Sequence, residues 1–256
     1  MEFYKYQGTG NDFVMIDNRD FRFPKRTALI KHLCDRRFGI GADGLILLEN
    51  DDAYDFRMVY YNADGKESSM CGNGGRCIVA FAHFLGIFTE QTRFIAIDGP
   101  HEAQISRELV KLKMMDVNLL HNFQKYTVVN TGSPHYVEFV DNVQDMDVYT
   151  EGKSIRYNEI FQQEGINVNF ATPLSDDMLF VRTYERGVED ETYSCGTGAT
   201  ACALAFMQNH HQTSINIKVL GGALKVYTVK TGKGFHNVWL EGPAQQVFKG
   251  HIAITE

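Results

Sequence analysis

Residues Cys71–Gly86 read CGNGGRCIVAFAHFLG, and residues Cys195–Asn209 read CGTGATACALAFMQN. Both stretches open with Cys-Gly-x-Gly and continue as a largely apolar run of helical length. A helix that is apolar nearly all round belongs in a protein core. The two stretches start 124 residues apart in a chain of 256. The sequence therefore predicts an internal duplication, with one buried helix in each half.

Short β-rich segments surround both stretches and predict strands. In the first half they are Phe3–Tyr6, Phe13–Ile16, Gly44–Leu48, Phe56–Tyr61, Arg93–Ile97, Glu102–Ile105 and Val110–Met114. In the second half they are Thr127–Asn130, Tyr136–Val140, Ile166–Phe170, Met178–Tyr184, Ile215–Val219, Leu224–Val229, Val238–Leu240 and Val247–Ile254. Further helices are predicted over Thr27–Arg36 and Asn158–Gln163.

These elements predict an α/β (α+β) fold of two pseudo-symmetric lobes. Each lobe is expected to be a curved, mostly antiparallel sheet around a central helix. We place the N-terminal lobe at 1–117 and the C-terminal lobe at 118–243, with a strand in 244–256 returning to the first lobe.

Composition narrows the classes of function. Hydrophobic residues make up 44% of the chain, charged residues make up 22%, and the net charge is -7. This acidic balance argues against nucleic acid as a partner. The sequence has no apolar stretch of about 18 residues that could span a membrane, and it opens without a secretory signal. Five cysteines do not form a disulfide framework, so we expect a protein of the reducing cytoplasm.

Cys71 and Cys195 are the candidate chemical groups. Each lies in the predicted first turn of a helix, where unpaired N–H groups and the positive end of the dipole can lower the pKa of a thiol. The glycines that follow allow backbone to approach a ligand closely, and the N–H groups can bind a carboxylate. Two such segments facing each other would hold one carboxylate and place a sulfur on either face of the adjacent carbon.

Such a pair suits racemisation at the α-carbon of an amino acid. One thiolate removes the α-proton, and the opposite thiol delivers a proton to the other face. N–H donors stabilise the enediolate oxygen that develops between these steps. No cofactor or metal is needed for this chemistry.

Four other interpretations of the cysteines and of the segments that contain them stay open at this point. Cys34, Cys77 and Cys202 are expected to be small buried hydrophobes. A metal site is disfavoured because the gaps are C-x5-C and C-x6-C. Phosphate-binding loops are disfavoured because neither stretch fits a known glycine-rich motif. A cysteine nucleophile paired with His135 would leave the second Cys-Gly-x-Gly segment without a role.

Six segments, in order, resemble the diaminopimelate epimerase family. They are GTGNDF (8–13), FGIGADGLILLE (38–49), YNADGKESSMCGNGGRC (61–77), GSPHYVEFV (132–140), GINVNFA (165–171) and YERGVEDETYSCGTGATACA (184–203). The resemblance implies two lobes with the substrate in the cleft between them. It implies interconversion of LL- and meso-diaminopimelate, without pyridoxal phosphate or metal, for lysine and peptidoglycan synthesis. It also implies a homodimer.

Site residues carry over position by position from this resemblance. Cys71 and Cys195 match the acid/base pair, and His135 and Glu185 match residues that tune the two thiols. The remaining matches are substrate contacts: Asn11, Asn62, Gly72 and Asn73 from the first half, and Asn167, Glu185, Arg186, Gly196 and Thr197 from the second. Among these, Asn167 matches a contact to the distal end of the substrate, and Glu185 with Arg186 matches groups that hold its ammonium and carboxylate.

Two departures from the family pattern concern substrate recognition. Ser133 stands where many members have Asn, and Gly44 stands where some have Gln. Proline and hydroxyproline racemases would show Cys-Gly-His at the first loop, where this chain has Cys71-Gly72-Asn73. Phenazine-type isomerases typically lack the cysteine pair. A non-catalytic amino-acid-binding protein would need the carboxylate site but no matched thiols.

Overall fold

A computed structural model describes residues 1–232 and 234–254. Its elements, in chain order through the first half, are β1 (Glu2–Gly8), β2 (Asn11–Asp17), α1 (Thr27–Cys34), β3 (Gly44–Glu49), β4 (Phe56–Asn62), β5 (Glu67–Ser68), α2 (Gly72–Phe84), β6 (Gln91–Ala96), β7 (Gly99–Ser106) and β8 (Leu109–Lys113). The second half contains β9 (Leu120–Asn122), β10 (Thr127–Asn130), β11 (Pro134–Phe139), α3 (Val148–Arg156), β12 (Asn167–Ser175), β13 (Met178–Glu185), β14 (Asp190–Thr192), α4 (Gly196–Met207), β15 (Ser214–Val219), β16 (Gly222–Thr231), β17 (Gly234–Pro243) and β18 (Gln245–His251).

The chain packs as two compact units, Met1–Leu112 with Gly242–Glu256, and Lys113–Glu241. In the first unit the strand order is β18-β1-β2-β3-β4-β6-β7-β8, and β5 pairs with the C-terminal end of β4. In the second unit the strand order is β9-β10-β11-β12-β13-β15-β16-β17, and β14 pairs with the C-terminal end of β13. The two orders match strand for strand, including the direction of every pairing. The structure thus confirms the predicted fold class and its internal duplication.

Each unit contains two parallel pairs, and a helix provides the crossover for each of them. The pairs are β2–β3 and β4–β6 in the first unit, and β11–β12 and β13–β15 in the second. Parallel neighbours need a crossover connection, which α1, α2, α3 and α4 supply in turn. The helices α2 and α4 begin just after the short strands β5 and β14, at equivalent places in the two units.

Burial distinguishes these central helices from the outer ones. Residues Gly72–Val79 of α2 are all buried, and every residue of α4 except Thr197 is buried. By contrast, α1 buries one face, with Ile30, Leu33 and Cys34 against Leu45 and Leu47. The apolar runs after Cys-Gly-x-Gly therefore form the cores of the two units, as their composition predicted.

The predicted helix over Asn158–Gln163 is wrong. The helix of this region, α3, lies earlier, because Asp147 caps it by accepting a hydrogen bond from the Thr150 N–H at 3.0 Å. After α3 ends, the Asn158 side chain accepts hydrogen bonds from the N–H groups of Ile160 and Phe161. This local bonding holds the segment in turns. Within the described residues, no helix is long and apolar enough to cross a membrane.

Candidate active site

Cys71 is the N-cap residue of α2. Its backbone is extended, and its Sγ accepts a hydrogen bond from the Gly74 N–H at 3.2 Å. The carbonyl oxygen of Cys71 accepts a hydrogen bond from the Gly75 N–H, and this is the first hydrogen bond of α2. An N–H donor at the positive end of a helix is the environment that stabilises a thiolate. The side chain of Cys71 is partly exposed, whereas Gly72 and Asn73 are buried behind it.

Asn11 lies beside Cys71 because of a tight hairpin turn. Thr9 and Gly10 connect β1 to β2, and both have positive φ, at 50° and 88°. This is the geometry of a type I′ turn. The Asn11 Oδ1 accepts from the Asn73 amide at 3.3 Å and lies 3.9 Å from the Cys71 Sγ. The structure thus brings together three of the predicted site residues in the first unit.

Arg76 joins this turn to the first turn of α2. Its guanidinium is fully buried and donates to Asn73 Oδ1 at 2.9 Å, Thr9 Oγ1 at 3.1 Å and the Gly72 carbonyl oxygen at 3.3 Å. Burial lowers the pKa of Arg76, while the nearby sulfurs of Cys77 and Cys71 raise it. A positive charge is thus held next to the cysteine loop by neutral oxygens. A buried charged group loses its hydration, and the hydrogen bonds of the Arg76 guanidinium offset part of that cost.

Asn62 ends β4, is exposed, and pairs in register with Gly44 of β3. A β-carbon at position 44 would lie 2.6 Å from both the Tyr60 ring and the Tyr61 carbonyl oxygen. The Tyr60 ring therefore fills the space beside Gly44. This packing gives a physical reason for glycine at a position where some family members have glutamine.

Cys195 is the N-cap residue of α4, in the position equivalent to Cys71. Its Sγ lies 3.4 Å from Thr197 Oγ1, and its carbonyl oxygen accepts from Ala199. The Thr131 hydroxyl donates to the Thr197 carbonyl oxygen at 2.9 Å and fixes the loop from outside. A β-carbon at Gly198 would lie 2.2 Å from Asn169 Oδ1, so the second glycine of the motif makes room for that amide.

Ser133, Asn167 and Arg186 form one hydrogen-bonded group in the second unit. The Asn167 amide donates to Ser133 Oγ at 2.8 Å, and its Oδ1 accepts from the Arg186 N–H at 2.9 Å. The Arg186 guanidinium donates to Ser133 Oγ at 3.3 Å and to the Glu164 carbonyl oxygen at 3.0 Å. Asn167 is buried, whereas Arg186 is exposed. Ser133, shorter than asparagine, thus links two predicted substrate contacts.

Glu185 is held by its neighbour on the adjacent strand. The Thr192 hydroxyl of β14 donates to Glu185 Oε2 at 3.0 Å. Because β14 pairs with the end of β13, it supports the segment that carries both Glu185 and Arg186.

His135 is fully buried on β11, and its Nδ1 lies 3.1 Å from the amide nitrogen of Asn169. Burial lowers the pKa of His135 to about 3, the bond to Asn169 opposes this shift, and the charge of Arg186 adds to it. The imidazole is therefore neutral across the ordinary working range of pH.

Asn169 and Arg76 are two contributors that the sequence interpretation missed. Asn169 lies two residues after Asn167 on β12, so both side chains share one face of the strand. Alternating polar residues within INVNF were the available signal. Arg76 gave a weaker signal, because it is a charged residue within an apolar run.

Cys34, Cys77 and Cys202 are buried, as Cys195 also is, but they lie outside the two N-cap positions. Burial raises the pKa of Cys34 to about 12, and it raises the pKa of Cys77 and of Cys202 further still. Among residues 1–232 and 234–254, no group of three or more His, Cys, Asp or Glu side chains is arranged to hold a metal ion.

Comparison with solved structures shows the fold. The chain matches a phenazine biosynthesis protein of the PhzF family from Bacillus anthracis with a TM-score of 0.78, at 14% identity and with 99% of both chains covered. It matches a hydroxyproline epimerase from Agrobacterium vitis with a TM-score of 0.70, at 13% identity, covering 98% of this chain and 91% of the other.

Comparison with curated sequences gives much closer relatives. The diaminopimelate epimerase of Flavobacterium psychrophilum is 55% identical over 256 residues, covering 98% of this chain and all of the relative. That of Chlorobaculum tepidum is 43% identical over 255 residues, covering 96% and 99%. That of Aquifex aeolicus is 38% identical over 273 residues, covering 99% and 98%.

The family model described as diaminopimelate epimerase matches residues 3–118 and 127–247. These ranges include both cysteine loops and every predicted site residue. Together with a relative that is 55% identical over nearly the whole chain, they establish that this chain belongs to the diaminopimelate epimerase family.

Proposed function

We propose that this protein interconverts LL-2,6-diaminopimelate and meso-diaminopimelate, as a step in making lysine and peptidoglycan precursors. In the reaction, one cysteine thiolate takes the α-proton, and the electron pair of the C–H bond passes into the carboxylate as an enediolate. The other cysteine thiol then gives its proton to the opposite face of the carbon. The first cysteine ends as a thiol and the second as a thiolate, so the reverse reaction exchanges their roles.

The observation that carries this proposal is the equivalence of Cys71 and Cys195. Each is the N-cap residue of a buried helix, and the two helices occupy matching places in the duplicated topology. A two-base reaction needs two groups of the same chemistry, because each must act as acid in one direction and as base in the other. A duplicated fold supplies such a pair directly.

Backbone N–H groups at the two helix N-termini support the same proposal. Those of Gly72 and Asn73 in the first unit, and of Gly196 and Thr197 in the second, are suited to bind the carboxylate next to the reacting carbon. Asn11 is placed next to Cys71 by the hairpin turn and is proposed to contact the substrate there.

Asn167 is proposed to contact the distal end of the substrate, and Asn62, Glu185 and Arg186 are proposed as further substrate contacts. Arg186 offers a planar fork for a carboxylate, and Glu185 suits an ammonium group. Asn167 orients Arg186 through its bonds to Ser133 and to the Arg186 backbone. His135 and Glu185 are proposed to tune the thiols, without exchanging protons with the substrate themselves.

The direct test is incubation of reduced protein with LL-diaminopimelate in deuterated water. We expect meso product that carries deuterium at the inverted α-carbon, detected by NMR. L-Proline and trans-4-hydroxy-L-proline serve as parallel substrates and are expected to show no exchange. Exchange with proline alone would overturn the assignment of diaminopimelate as the substrate. Exchange with none of the three compounds, in folded and reduced protein, would favour a non-catalytic amino-acid-binding protein.

Cys71→Ala and Cys195→Ala are each expected to lower epimerisation by at least 1,000-fold, since either change removes one of two obligatory groups. Cys34→Ala is the matched control, because Cys34 is the last residue of α1 and packs in the hydrophobic core, so its loss should leave the rate within about twofold. Ordinary turnover in either of the first two variants would contradict the two-base mechanism.

The homodimer and the cytoplasmic location remain predictions. Val247 and Phe248 on β18 are 57% and 46% exposed, which is apolar surface of the kind found at interfaces. Light scattering at micromolar concentration should give twice the mass of one chain, 29.1 kDa. A monomer mass at that concentration would contradict the expected homodimer.

A further inference from the structure

The side-chain amide of Asn169 is fully buried, and its surroundings fix which way it points. Its Nδ2 faces the Tyr136 carbonyl oxygen at 2.8 Å and the Asn167 carbonyl oxygen at 3.4 Å. Its Oδ1 accepts from the Thr183 hydroxyl at 3.0 Å. Carbonyl oxygens can only accept, so the group facing them must be the amide nitrogen. The reversed amide would set oxygen against oxygen.

This orientation determines the tautomer of His135. The same Nδ2 lies 3.1 Å from His135 Nδ1, and an amide nitrogen can only donate. A proton on Nδ1 would place two donors head to head. The Nδ1 atom therefore accepts, and in a neutral imidazole the proton must be on Nε2.

The resulting Nε2–H group is a buried donor. His135 Nε2 has no hydrogen-bond partner within residues 1–232 and 234–254, which include the Sγ of Cys195. Leaving such a donor unpaired destabilises the folded protein, because the group gives up its hydrogen bond to water and gains none in return. A buried orphan of this kind calls for an acceptor that arrives with a ligand.

The surroundings of His135 match an anionic ligand. Arg186 lies close enough to act on the imidazole electrostatically, and Ser133, two residues before it, bonds to the Arg186 guanidinium. Asn169 also lies against Gly198 in the Cys195 loop. A neutral donor among these groups suits a carboxylate oxygen.

We infer that Asn169 is a positioning residue that holds His135 as the Nε2–H tautomer, so that His135 donates a hydrogen bond to a carboxylate oxygen of the bound substrate. In this state Nε2 cannot take a proton from a thiol, so His135 acts as a donor and does not act as a base. This inference rests on the proposed function for the identity of the substrate, but the tautomer itself does not depend on it.

The tautomer can be read directly in the unsubstituted protein. With ¹⁵N-labelled histidine, the signals of His135 are identified by their absence in His135→Gln. We expect Nδ1 in the unprotonated range and Nε2 in the protonated range, unchanged between pH 6 and pH 8. Saturation with diaminopimelate should shift the Nε2–H proton downfield. A proton on Nδ1, or an Nε2–H signal unmoved by diaminopimelate in protein that exchanges the α-proton of diaminopimelate, would overturn the inference.

Asn169→Asp tests the role of the amide, because a carboxylate accepts where the amide donates. We expect the proton to move to Nδ1 and kcat to fall about tenfold or more, with a smaller change in KM. Thr183→Val is the matched control, since it removes a bond to the same amide but leaves the donor side in place. Its tautomer should be unchanged and its kcat within about threefold.

These outcomes separate the inference from the proposed function. If α-proton exchange with diaminopimelate is absent while the Nε2–H tautomer is observed, the assigned substrate fails but the role of Asn169 stands. If exchange is present and Asn169→Asp retains both the tautomer of His135 and kcat, the assigned substrate stands and the proposed role of Asn169 fails. Should Asn169→Asp fail to fold, the measurement on the unsubstituted protein still decides the tautomer.

Discussion

Cysteine reactivity should differ sharply between the two loop residues and the other three. Cys34, with a pKa raised to about 12, and the still more perturbed Cys77 and Cys202 contain almost no thiolate at pH 7.5. Iodoacetamide is therefore expected to modify Cys71 and Cys195 alone, as read by peptide mass spectrometry. The same treatment in urea should label all five. Labelling of Cys77 in folded protein would show that its burial is wrong.

Gly44 is expected to tolerate no side chain. The clash arises at the β-carbon, 2.6 Å from the Tyr60 ring and from the Tyr61 carbonyl oxygen, and the latter is backbone. Gly44→Gln should lower the free energy of unfolding by about 1–3 kcal/mol. Gly44→Ala should show most of the same loss in urea unfolding. A stable Gly44→Gln variant with tighter substrate binding would contradict this packing argument.

At the scale of elements, Arg76 ties α2 to the β1–β2 turn. Thr9 is β-branched and has φ of 50°, a conformation that its surroundings must enforce. Arg76→Lys keeps the charge but loses the fork that reaches Thr9 and Asn73 together. We expect a loss of about 2–4 kcal/mol in urea unfolding and a fall in kcat/KM of at least tenfold.

Arg57→Lys is the control for that change. Arg57 forms an ion pair with Asp51 at 2.6 Å, and its side chain is 45% exposed. Exposed pairs contribute little, so we expect a change below about 0.5 kcal/mol. If Arg76→Lys were equally mild, Arg76 would not hold the turn in place.

Sequence patterns predicted the central elements well and the outer ones less well. Cys-Gly-x-Gly followed by an apolar run contains both the cap and the buried body of α2 and α4, so local signals sufficed. The helix α3 was misplaced because its evidence is a cap at Asp147, whereas the predicted segment forms side-chain turns. The bonds of Asn169 and Arg76 depend on strand register and on the β1–β2 turn, which no local pattern contains. The substrate contacts came from family resemblance and stay predictions.

At the scale of the whole molecule, the neutral His135 should make stability depend on pH. Its pKa is about 3 when folded and about 6.5 when unfolded. Between these values the unfolded chain binds a proton that the folded protein does not, so stability falls as pH decreases below about 6.5. The expected slope is about 1.4 kcal/mol per pH unit.

His135→Gln lacks this titration and provides the comparison. Urea unfolding at pH 7, 6 and 5 should show the two proteins approaching each other in stability as pH falls. Carboxylates such as Asp12, whose pKa is lowered by Arg36 and Lys5 despite its burial, affect both proteins alike. Parallel curves would show that His135 titrates equally in both states.

The pairing of β18 with β1 has a consequence for biosynthesis. Tyr6 and Gln246, which face each other across these strands, lie 240 residues apart in sequence. A ribosome that adds about 5–20 residues per second therefore leaves one edge of β1 unpaired for about ten seconds or more, until β18 is synthesised. All strands of the second unit are synthesised within that interval. The half of the protein that is translated first must accordingly be the last to complete its sheet, and in the meantime a chaperone could bind its unpaired edge.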